Sequence, residues 1–119
     1  RVMIVDDSPT DVENLKGMLT RGGHVVSECN SGQDALAKVK QFKPECVIMD
    51  VVMPGVNGFQ ATRSLSKDPD TSTIPILVVS SKNQETDRVW ALRQGAREYL
   101  VKPVKEADLL SKIKQVIGG

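Results

Sequence analysis

The stretch VIMDVVMPGVNGF, residues 47–59, is apolar on both sides of one carboxylate, Asp50, until it breaks at Pro54-Gly55. A short apolar run bounded by turn residues is typical of a strand that is buried on both faces of a parallel sheet. A buried charge is costly unless neighbouring groups or a cation satisfy it. The stretch therefore predicts a strand that ends at Asp50, and it favours a functional role for this carboxylate.

Five short segments, including the one that leads into Asp50, predict strands. They are VMIV (2–5), HVVSEC (24–29), CVIM (46–49), IPILVV (74–79) and YLV (99–101). The segments between them carry apolar residues at helical spacing, which predicts one apolar face for each helix. These faces are Val12, Leu15 and Leu19; Ala35, Leu36 and Val39; Phe59, Thr62 and Leu65; Val89 and Leu92; and Leu109, Leu110, Ile113, Val116 and Ile117. Trp90 is offset from the fourth face, so exposure and core packing both remain open.

Signals for helix ends agree with this division of the chain. Ser8 can cap a helix that begins with Pro9, and Gly22-Gly23 can end it. The corresponding residues of the second helix are Ser31 with Asp34 at its start and Lys43-Pro44 at its end. Strict alternation of strand and helix predicts an α/β fold, (βα)5, with a five-stranded parallel sheet and helices on both faces.

The strand ends carry the polar groups of interest. In the common order 2-1-3-4-5, the strand order reverses between strands 1 and 3, and ligands of such sheets bind there. Asp6-Asp7 follows strand 1 and Asp50 follows strand 3. Carboxylates gathered at one place repel each other, and they persist by protonation of one member or by binding a hard cation such as Mg²⁺. For Asp6-Asp7 alone, acidic residues placed ahead of a helix N-terminus are an equally good explanation.

Strands 4 and 5 end in Ser80 and in Lys102-Pro103. An ammonium group beside the carboxylates would provide a point charge for a phosphoryl group. A solvated surface charge is the alternative for Lys102, and ordinary loop chemistry is the alternative for Ser80. We therefore expect a phosphate-related site at this edge of the sheet.

Composition restricts the other possibilities. With 119 residues and a net charge of +1, we expect one monomeric domain over residues 1–119 and no nucleic-acid partner. Because no apolar run approaches the roughly 20 residues of a membrane span, we expect a cytoplasmic protein without membrane insertion. Cys29 and Cys46 fall on strands 2 and 3, which flank strand 1, so we expect free thiols and no disulfide.

Four motifs, in this order, carry a family resemblance: Asp6-Asp7, MDVVMPGVNG around Asp50, VVSS through Ser80 and YLVKPV through Lys102. Together they resemble the receiver domain of two-component response regulators, over the whole chain. Within that family, DDSPT, VMPGVNGFQATR and QETDRVWALRQGAREYLVKPV are similar to the single-domain, CheY-like receivers of type IV pilus twitching motility, the PilH group. The fold that the resemblance implies is the flavodoxin-like (βα)5 arrangement.

The resemblance also implies roles for the residues at the strand ends. Asp50 would accept a phosphoryl group from a histidine kinase, and Lys102 would neutralise its charge. Mg²⁺ would be held by the carboxylates of Asp6, Asp7 and Asp50 and by the backbone carbonyl of Val52. Such a domain is a signalling protein that assists only its own phosphorylation and dephosphorylation, so we do not expect a turnover enzyme.

The resemblance further implies how the signal leaves the domain. Ser80 and Tyr99 would move on phosphorylation and change the face formed by helix 4, strand 5 and helix 5, where a downstream protein binds. Simple packing of Tyr99 on the sheet is compatible with this role. A cis Lys102-Pro103 peptide bond is also implied. Chemotaxis receivers carry an amide and a carboxylate at the positions of Val52 and Lys82, so this chain departs from them at two places.

Two other functions are considered for the same fold. A flavodoxin-type electron carrier would need a loop after strand 1 that receives a flavin phosphate, but Asp6-Asp7 stands there and only 3% of the residues are aromatic. A haloacid dehalogenase-type phosphatase would place its nucleophile in a D-x-D pattern after strand 1, and VDDSPT lacks that spacing. Both explain the sequence less well than a receiver domain.

Overall fold

The computed structural model of the chain describes residues 1–52 and 57–118, so the predicted break at Pro54-Gly55 lies outside the described residues. Five strands and five helices alternate along the chain. They are β1 (Val2–Val5), α1 (Pro9–Arg21), β2 (Val26–Cys29), α2 (Gly32–Phe42), β3 (Cys46–Met49), α3 (Gly58–Lys67), β4 (Ile76–Ser80), α4 (Glu85–Arg93), β5 (Glu98–Val101) and α5 (Glu106–Gly118). Strands β2 and β4 begin two residues later than predicted.

All strand pairs of the sheet are parallel, and their order is β2-β1-β3-β4-β5. The predicted flavodoxin-like (βα)5 fold is therefore confirmed. The order places β1 and β3 side by side at the centre of the sheet, with Val5 beside Met49. The residues that follow these two strands consequently leave the same edge of the sheet.

The first helix begins and ends where its sequence signals predict. The Ser8 side chain accepts a hydrogen bond from the backbone N–H of Asp11 at 3.4 Å, and Pro9 occupies the first turn. At the other end the Gly22 N–H donates to the carbonyl of Met18. The start of α1 is thus fixed directly after the acidic end of β1.

Two apolar clusters lie on opposite faces of the sheet. Successive residues of β1 alternate between them, since Met3 and Val5 belong to one cluster while Val2 and Ile4 belong to the other. The first cluster includes buried residues of α2, α3 and α4, and the second includes buried residues of α1 and α5. The central strands are therefore covered on both sides, which explains their continuous apolar sequences.

The prediction that Val89 and Leu92 form the buried face of α4 is wrong. Val89 and Leu92 are 40% and 39% exposed, and Ala91 is the buried residue of this helix. Trp90 is 47% exposed, which settles the question left open for it. Because α4 has nine residues and lies near the β5 edge of the sheet, one small side chain is enough to make its contact with the core.

The two cysteines lie at opposite ends of β1. Cys29 is beside Val5 and Cys46 is beside Val2, and both thiols are free and buried, as predicted. Burial raises the pKa of the Cys46 thiol to about 12. Among the described residues, no helix has the length and the apolar composition needed to cross a membrane.

A close approach between α3 and the turn after α4 depends on Gly95. This residue has a φ of +113°, and a Cβ atom built on it would lie 2.0 Å from Oγ of Ser66. A φ in this range is strained for any residue with a side chain. Gly95 therefore allows α4 to turn tightly into β5 while staying against α3.

We expect Gly95→Ala to lower the free energy of unfolding by about 1–3 kcal/mol, because alanine would be strained there and would collide with Ser66. Gly17→Ala is the matched control, since Gly17 lies within α1 and a Cβ there would meet only the flexible end of Arg21, at 3.3 Å. That control should raise the free energy of unfolding by about 0.5–1 kcal/mol. Urea unfolding of both variants beside the wild type makes the comparison, and equal effects would contradict it.

Candidate functional site

The acidic end of the sheet is built on hydrogen bonds between neighbouring strands. The backbone N–H of Asp50 donates to the carbonyl of Val5 at 2.9 Å, and that of Asp6 donates to the carbonyl of Cys29 at 3.0 Å. Both aspartates thus continue the ladder of the sheet by one residue beyond β3 and β1. Their backbone positions are fixed by the sheet rather than by a loop.

The three predicted carboxylates are brought together. Each of Asp6, Asp7 and Asp50 offers an oxygen, and these oxygens all lie within 4.8 Å of one another. Asp6 is 2% exposed and Asp50 is 7% exposed, whereas Asp7 is exposed. One Asp6 oxygen also accepts a hydrogen bond from the backbone N–H of Ser8 at 2.9 Å, which connects the cluster to the cap of α1.

The charge of Asp50 is unfavourable in this setting. Burial is the main cause that raises its pKa to about 6, and the negative charges of Asp6 and Asp7 add to the effect. The charge of Lys102 and a hydrogen bond from the backbone of Val52 act in the opposite direction. A cation placed among these oxygens would relieve the repulsion, and a donor set made only of oxygen suits Mg²⁺. The three carboxylates therefore fit a magnesium ion.

Lys102 lies within the cluster rather than in solvent. Its Nζ is 3.1 Å from Oδ2 of Asp6, 2.8 Å from Oδ2 of Asp11 and 3.9 Å from Oδ1 of Asp50, and its side chain is 17% exposed. Burial by itself lowers the pKa of Lys102, but the hydrogen bonds to Asp11 and Asp6, together with the negative charges of Asp50 and Asp6, outweigh burial and raise it. The Lys102-Pro103 peptide bond is cis, as the resemblance implied.

Asp11 is a member of the site that the sequence analysis did not identify. From the sequence alone Asp11 is one acidic residue in the first turn of α1, where the helix dipole favours a negative charge. The signal that could have found it is the position of that turn, since α1 begins two residues after Asp7. A side chain in the first turn of α1 can therefore reach the same strand ends.

The hydroxyl groups of Ser80 and Tyr99 are both hydrogen-bonded to the backbone of Lys82. Ser80 is fully buried at the end of β4, and its Oγ accepts a hydrogen bond from the backbone N–H of Lys82 at 3.2 Å. The Tyr99 hydroxyl donates to the backbone carbonyl of Lys82 at 2.8 Å, while its ring packs against the core. Within the described part of the chain, neither hydroxyl is hydrogen-bonded to the carboxylates.

Gly58, at the start of α3, supports the backbone of Asp50. A Cβ atom built on Gly58 would lie 2.0 Å from the carbonyl oxygen of Asp50 and 2.5 Å from Cα of Val51. The Gly58 N–H also donates to the carbonyl of Val51 at 3.2 Å. No side chain fits between helix and strand here. The sequence analysis did not single out this glycine, although it lies within the NG of the motif around Asp50.

Val52 is 51% exposed beside the cluster, and its backbone contributes a hydrogen bond to Asp50. The role of its carbonyl as a magnesium ligand stays a prediction. Met53 and the three residues after it lie outside the described residues. The site therefore consists of the carboxylates that follow β1 and β3, Lys102 after β5, Asp11 of α1 and the backbone of Val52.

Comparison with known proteins finds a matching family and a similar protein of nearly the same length. The family described as the response regulator receiver domain matches residues 2–114. The chain is 55% identical, over 119 residues, to the protein PilH of Pseudomonas aeruginosa, and the match covers 100% of this chain and 98% of that one.

Two solved structures are similar to this chain in fold. A putative response regulator from Chloroflexus aurantiacus has a TM-score of 0.95 and 30% identity, covering 99% of this chain and 97% of that one. The receiver domain of a sensor histidine kinase from Pseudomonas aeruginosa PAO1 has a TM-score of 0.92 and 26% identity, again covering 99% and 97%. That structure has a magnesium ion coordinated in its active site cleft.

We expect Asp50→Asn to raise the free energy of unfolding at pH 7.5 without divalent cations, by about 1–3 kcal/mol. The pKa of Asp50 is about 6 in the folded protein against 3.8 for an ordinary aspartate. The folded state therefore binds more protons than the unfolded state between these values. Stability of the wild type should fall as the pH rises from about 4 to 6, and the variant should escape this loss.

Urea unfolding in EDTA at pH 4.0 and pH 7.5 measures the effect. Glu13→Gln is the control for loss of a negative charge, since Glu13 is exposed on α1, and it should change stability by less than about 0.5 kcal/mol. Added Mg²⁺ should narrow the difference between wild type and Asp50→Asn, because a bound cation stabilises the folded wild type. If the free energies of unfolding of wild type and Asp50→Asn differ by the same amount at both pH values, the electrostatic explanation is contradicted.

Proposed function

Because the chain belongs to the response regulator receiver domain family, we propose that it is a phosphorylation switch whose Asp50 takes a phosphoryl group from a histidine kinase. One observation carries this proposal. Asp50 is buried at the end of β3, its backbone is fixed by Val5, and its side chain lies among Asp6, Asp7 and Lys102. A nucleophilic carboxylate needs this fixed position and these charges for transfer in line with the leaving group.

The proposed reaction transfers a phosphoryl group from a kinase histidine to Asp50. A carboxylate oxygen of Asp50 attacks the phosphorus atom, the bond from phosphorus to the kinase imidazole breaks, and the imidazole leaves with the electron pair. Asp6, Asp7, Asp50 and the carbonyl of Val52 would hold Mg²⁺. When bound, this ion neutralises the charge of the phosphoryl oxygens.

Lys102 would supply a second positive charge to the same oxygens. Its Nζ, 3.9 Å from the Asp50 carboxylate, already lies close to where those oxygens would be. The residue assists the transfer by its charge alone, since a lysine side chain is a compact cation. In this proposal the domain assists its own phosphorylation and dephosphorylation and does not turn over a substrate.

Ser80 and Tyr99 would form the switch. In the structure both are hydrogen-bonded to the backbone of Lys82. A phosphoryl group that draws the Ser80 hydroxyl toward Asp50 would break its bond to the Lys82 N–H. The segment that holds Tyr99 would then lose one of its fixed points, and the population would shift between two arrangements of β4, α4 and β5.

The face formed by α4, β5 and α5 would bind the downstream protein. Apolar side chains that are exposed on it support this assignment, namely Val89, Trp90 and Leu92 of α4 and Val101 of β5, with exposures between 39% and 47%. Exposed apolar and aromatic residues are common at protein interfaces. We place the protein in the cytoplasm as a monomeric receiver over residues 1–119. Its similarity to PilH supports a role in type IV pilus twitching motility.

The alternatives receive no support from the site. A flavin phosphate would meet the carboxylates of Asp6 and Asp7 where a flavodoxin needs neutral donors. A haloacid dehalogenase-type nucleophile would follow β1, whereas the most perturbed carboxylate, Asp50, follows β3. A flavodoxin also gives no reason for Lys102 to lie among the carboxylates.

We expect acetyl phosphate with Mg²⁺ to phosphorylate the wild type on Asp50 and on no other residue, as measured by intact mass and by peptide mapping after borohydride reduction. Asp50→Asn should remain unmodified while keeping the fold, because only the nucleophile is removed. Lys102→Met should fold and react at least about tenfold more slowly, since one charge on the phosphoryl oxygens is lost. Modification of Asp50→Asn at the wild-type level would refute the assignment. Steady release of phosphate at catalytic rates would instead favour the phosphatase.

The lifetime of the phosphoryl group should depend on Val52 and Lys82. The group is lost when water attacks in line with Asp50, and an exposed Val52 side chain cannot hydrogen-bond that water. We therefore expect slower self-dephosphorylation than in chemotaxis receivers. Val52→Asn should lower the activation free energy of the decay by about 1 kcal/mol, which makes the decay roughly fivefold faster.

The decay of phosphorylated protein after donor removal measures this lifetime. Lys82→Glu should also accelerate the decay, because a carboxylate can orient water and an ammonium group cannot accept its proton. Lys38→Glu, an exposed lysine on α2, is the control for the same change of charge and should decay at the wild-type rate. Wild-type decay of both Val52→Asn and Lys82→Glu would show that neither position controls the water.

A further inference from the structure

The shortest ion pair of Lys102 is formed with an acid to which the resemblance gives no role. Its Nζ lies 2.8 Å from Asp11, compared with 3.1 Å from Asp6 and 3.9 Å from Asp50. The Lys102 side chain is 17% exposed, and these three carboxylates all lie within 3.9 Å of its ammonium group. The cation of the site is therefore connected to α1 as well as to the strand ends.

The position of Asp11 is fixed by the start of its helix. It lies in the first turn of α1, and its N–H donates to the Ser8 side chain that caps the helix. Ser8 in turn donates its own N–H to Asp6. The helix N-terminus favours a carboxylate at this place. Asp11 is thus held at the edge of the site from two directions, by its backbone and by Lys102.

We propose that Asp11 is a positioning residue that competes with the phosphoryl group for the ammonium group of Lys102, and thereby sets how readily the site accepts that group. The inference rests on the proposed function of Asp50 and Lys102. A phosphoryl group on Asp50 attracts Nζ, so the pair with Asp11 must lengthen or be shared. The Asp11 carboxylate also repels the phosphoryl oxygens, and both effects oppose phosphorylation.

The size of the effect is limited by water. The Asp11 side chain is 38% exposed, so solvent can replace Lys102 around its carboxylate when the pair opens. Ion pairs of partly exposed groups contribute modestly to stability. We therefore expect changes of about threefold to tenfold rather than loss of function.

Three variants separate the charge of Asp11 from its other properties. Asp11→Asn removes the charge and keeps the size and the helix start, and Asp11→Glu keeps the charge. Glu13→Gln removes an exposed charge from the same helix, at a residue that is not among the partners of Lys102 found in the described chain.

The first measurement requires neither metal nor phosphoryl group. The unfolding equilibrium in EDTA is compared for wild type, Asp11→Asn, Lys102→Met and the double variant. We expect a coupling of about threefold to tenfold in the unfolding equilibrium constant between positions 11 and 102. The pair of Glu13→Gln with Lys102→Met should show no coupling. Absence of coupling for Asp11 would overturn the resting contact and the proposal with it.

The second measurement is the affinity for beryllium fluoride at saturating Mg²⁺. Asp11→Asn should bind this phosphoryl mimic about threefold to tenfold more tightly, Asp11→Glu should be close to wild type, and Glu13→Gln should be unchanged. A purely structural role would instead weaken binding or leave it unchanged in Asp11→Asn, and either result overturns the competition. If the wild type does not bind beryllium fluoride, both the proposed function and the competition are refuted.

Discussion

Repulsion between carboxylates held at one edge of the sheet is the constraint on which the site depends. Asp50 cannot move away from Asp6, because its backbone is hydrogen-bonded to Val5 and because Gly58 leaves no space behind its carbonyl. Burial raises the pKa of Asp50, the repulsion adds to this effect, and a carboxylate in this setting attracts cations. Lys102 lowers the repulsion in part, and it does so at 3.9 Å from Asp50 rather than in full contact. The negative potential that remains would attract a metal ion, and the charge of that ion would in turn offset the negative charge of a phosphoryl group.

Much of this arrangement could be predicted from the sequence, because it follows from chain direction and strand order. Parallel strands all end at the same edge, so the residues after β1 and β3 had to meet once the order 2-1-3-4-5 was assumed, and a long side chain after β5 could reach them. The structure confirms that order and gathers Asp6, Asp7, Asp50 and Lys102. Continuous apolar runs also indicated correctly that the central strands are covered on both faces.

The features that sequence reasoning missed depend on distances that no periodicity encodes. In the sequence Asp11 is an ordinary acid of a first helical turn, and only the folded structure brings its carboxylate to 2.8 Å from Nζ of Lys102. The need for glycine at position 58 becomes clear only from the structure, where a Cβ atom would collide with the backbone of Asp50. On α4 the larger apolar residues, Val89 and Leu92, predicted the buried face, yet the smaller Ala91 took it because a short helix at the sheet edge approaches the core closely.

The single buried alanine of α4 has a dynamic consequence. Helix α1 buries Val12, Leu15 and Leu19, whereas α4, all of which the structure describes, buries Ala91 alone. Because little apolar surface is lost when such a helix detaches, the free energy of its local opening should lie well below that of global unfolding. Its backbone amides should then exchange with solvent far sooner than those of α1. Helix α4, part of the face that we propose for binding the downstream protein, is thus an element whose position the protein can change at a small cost in free energy.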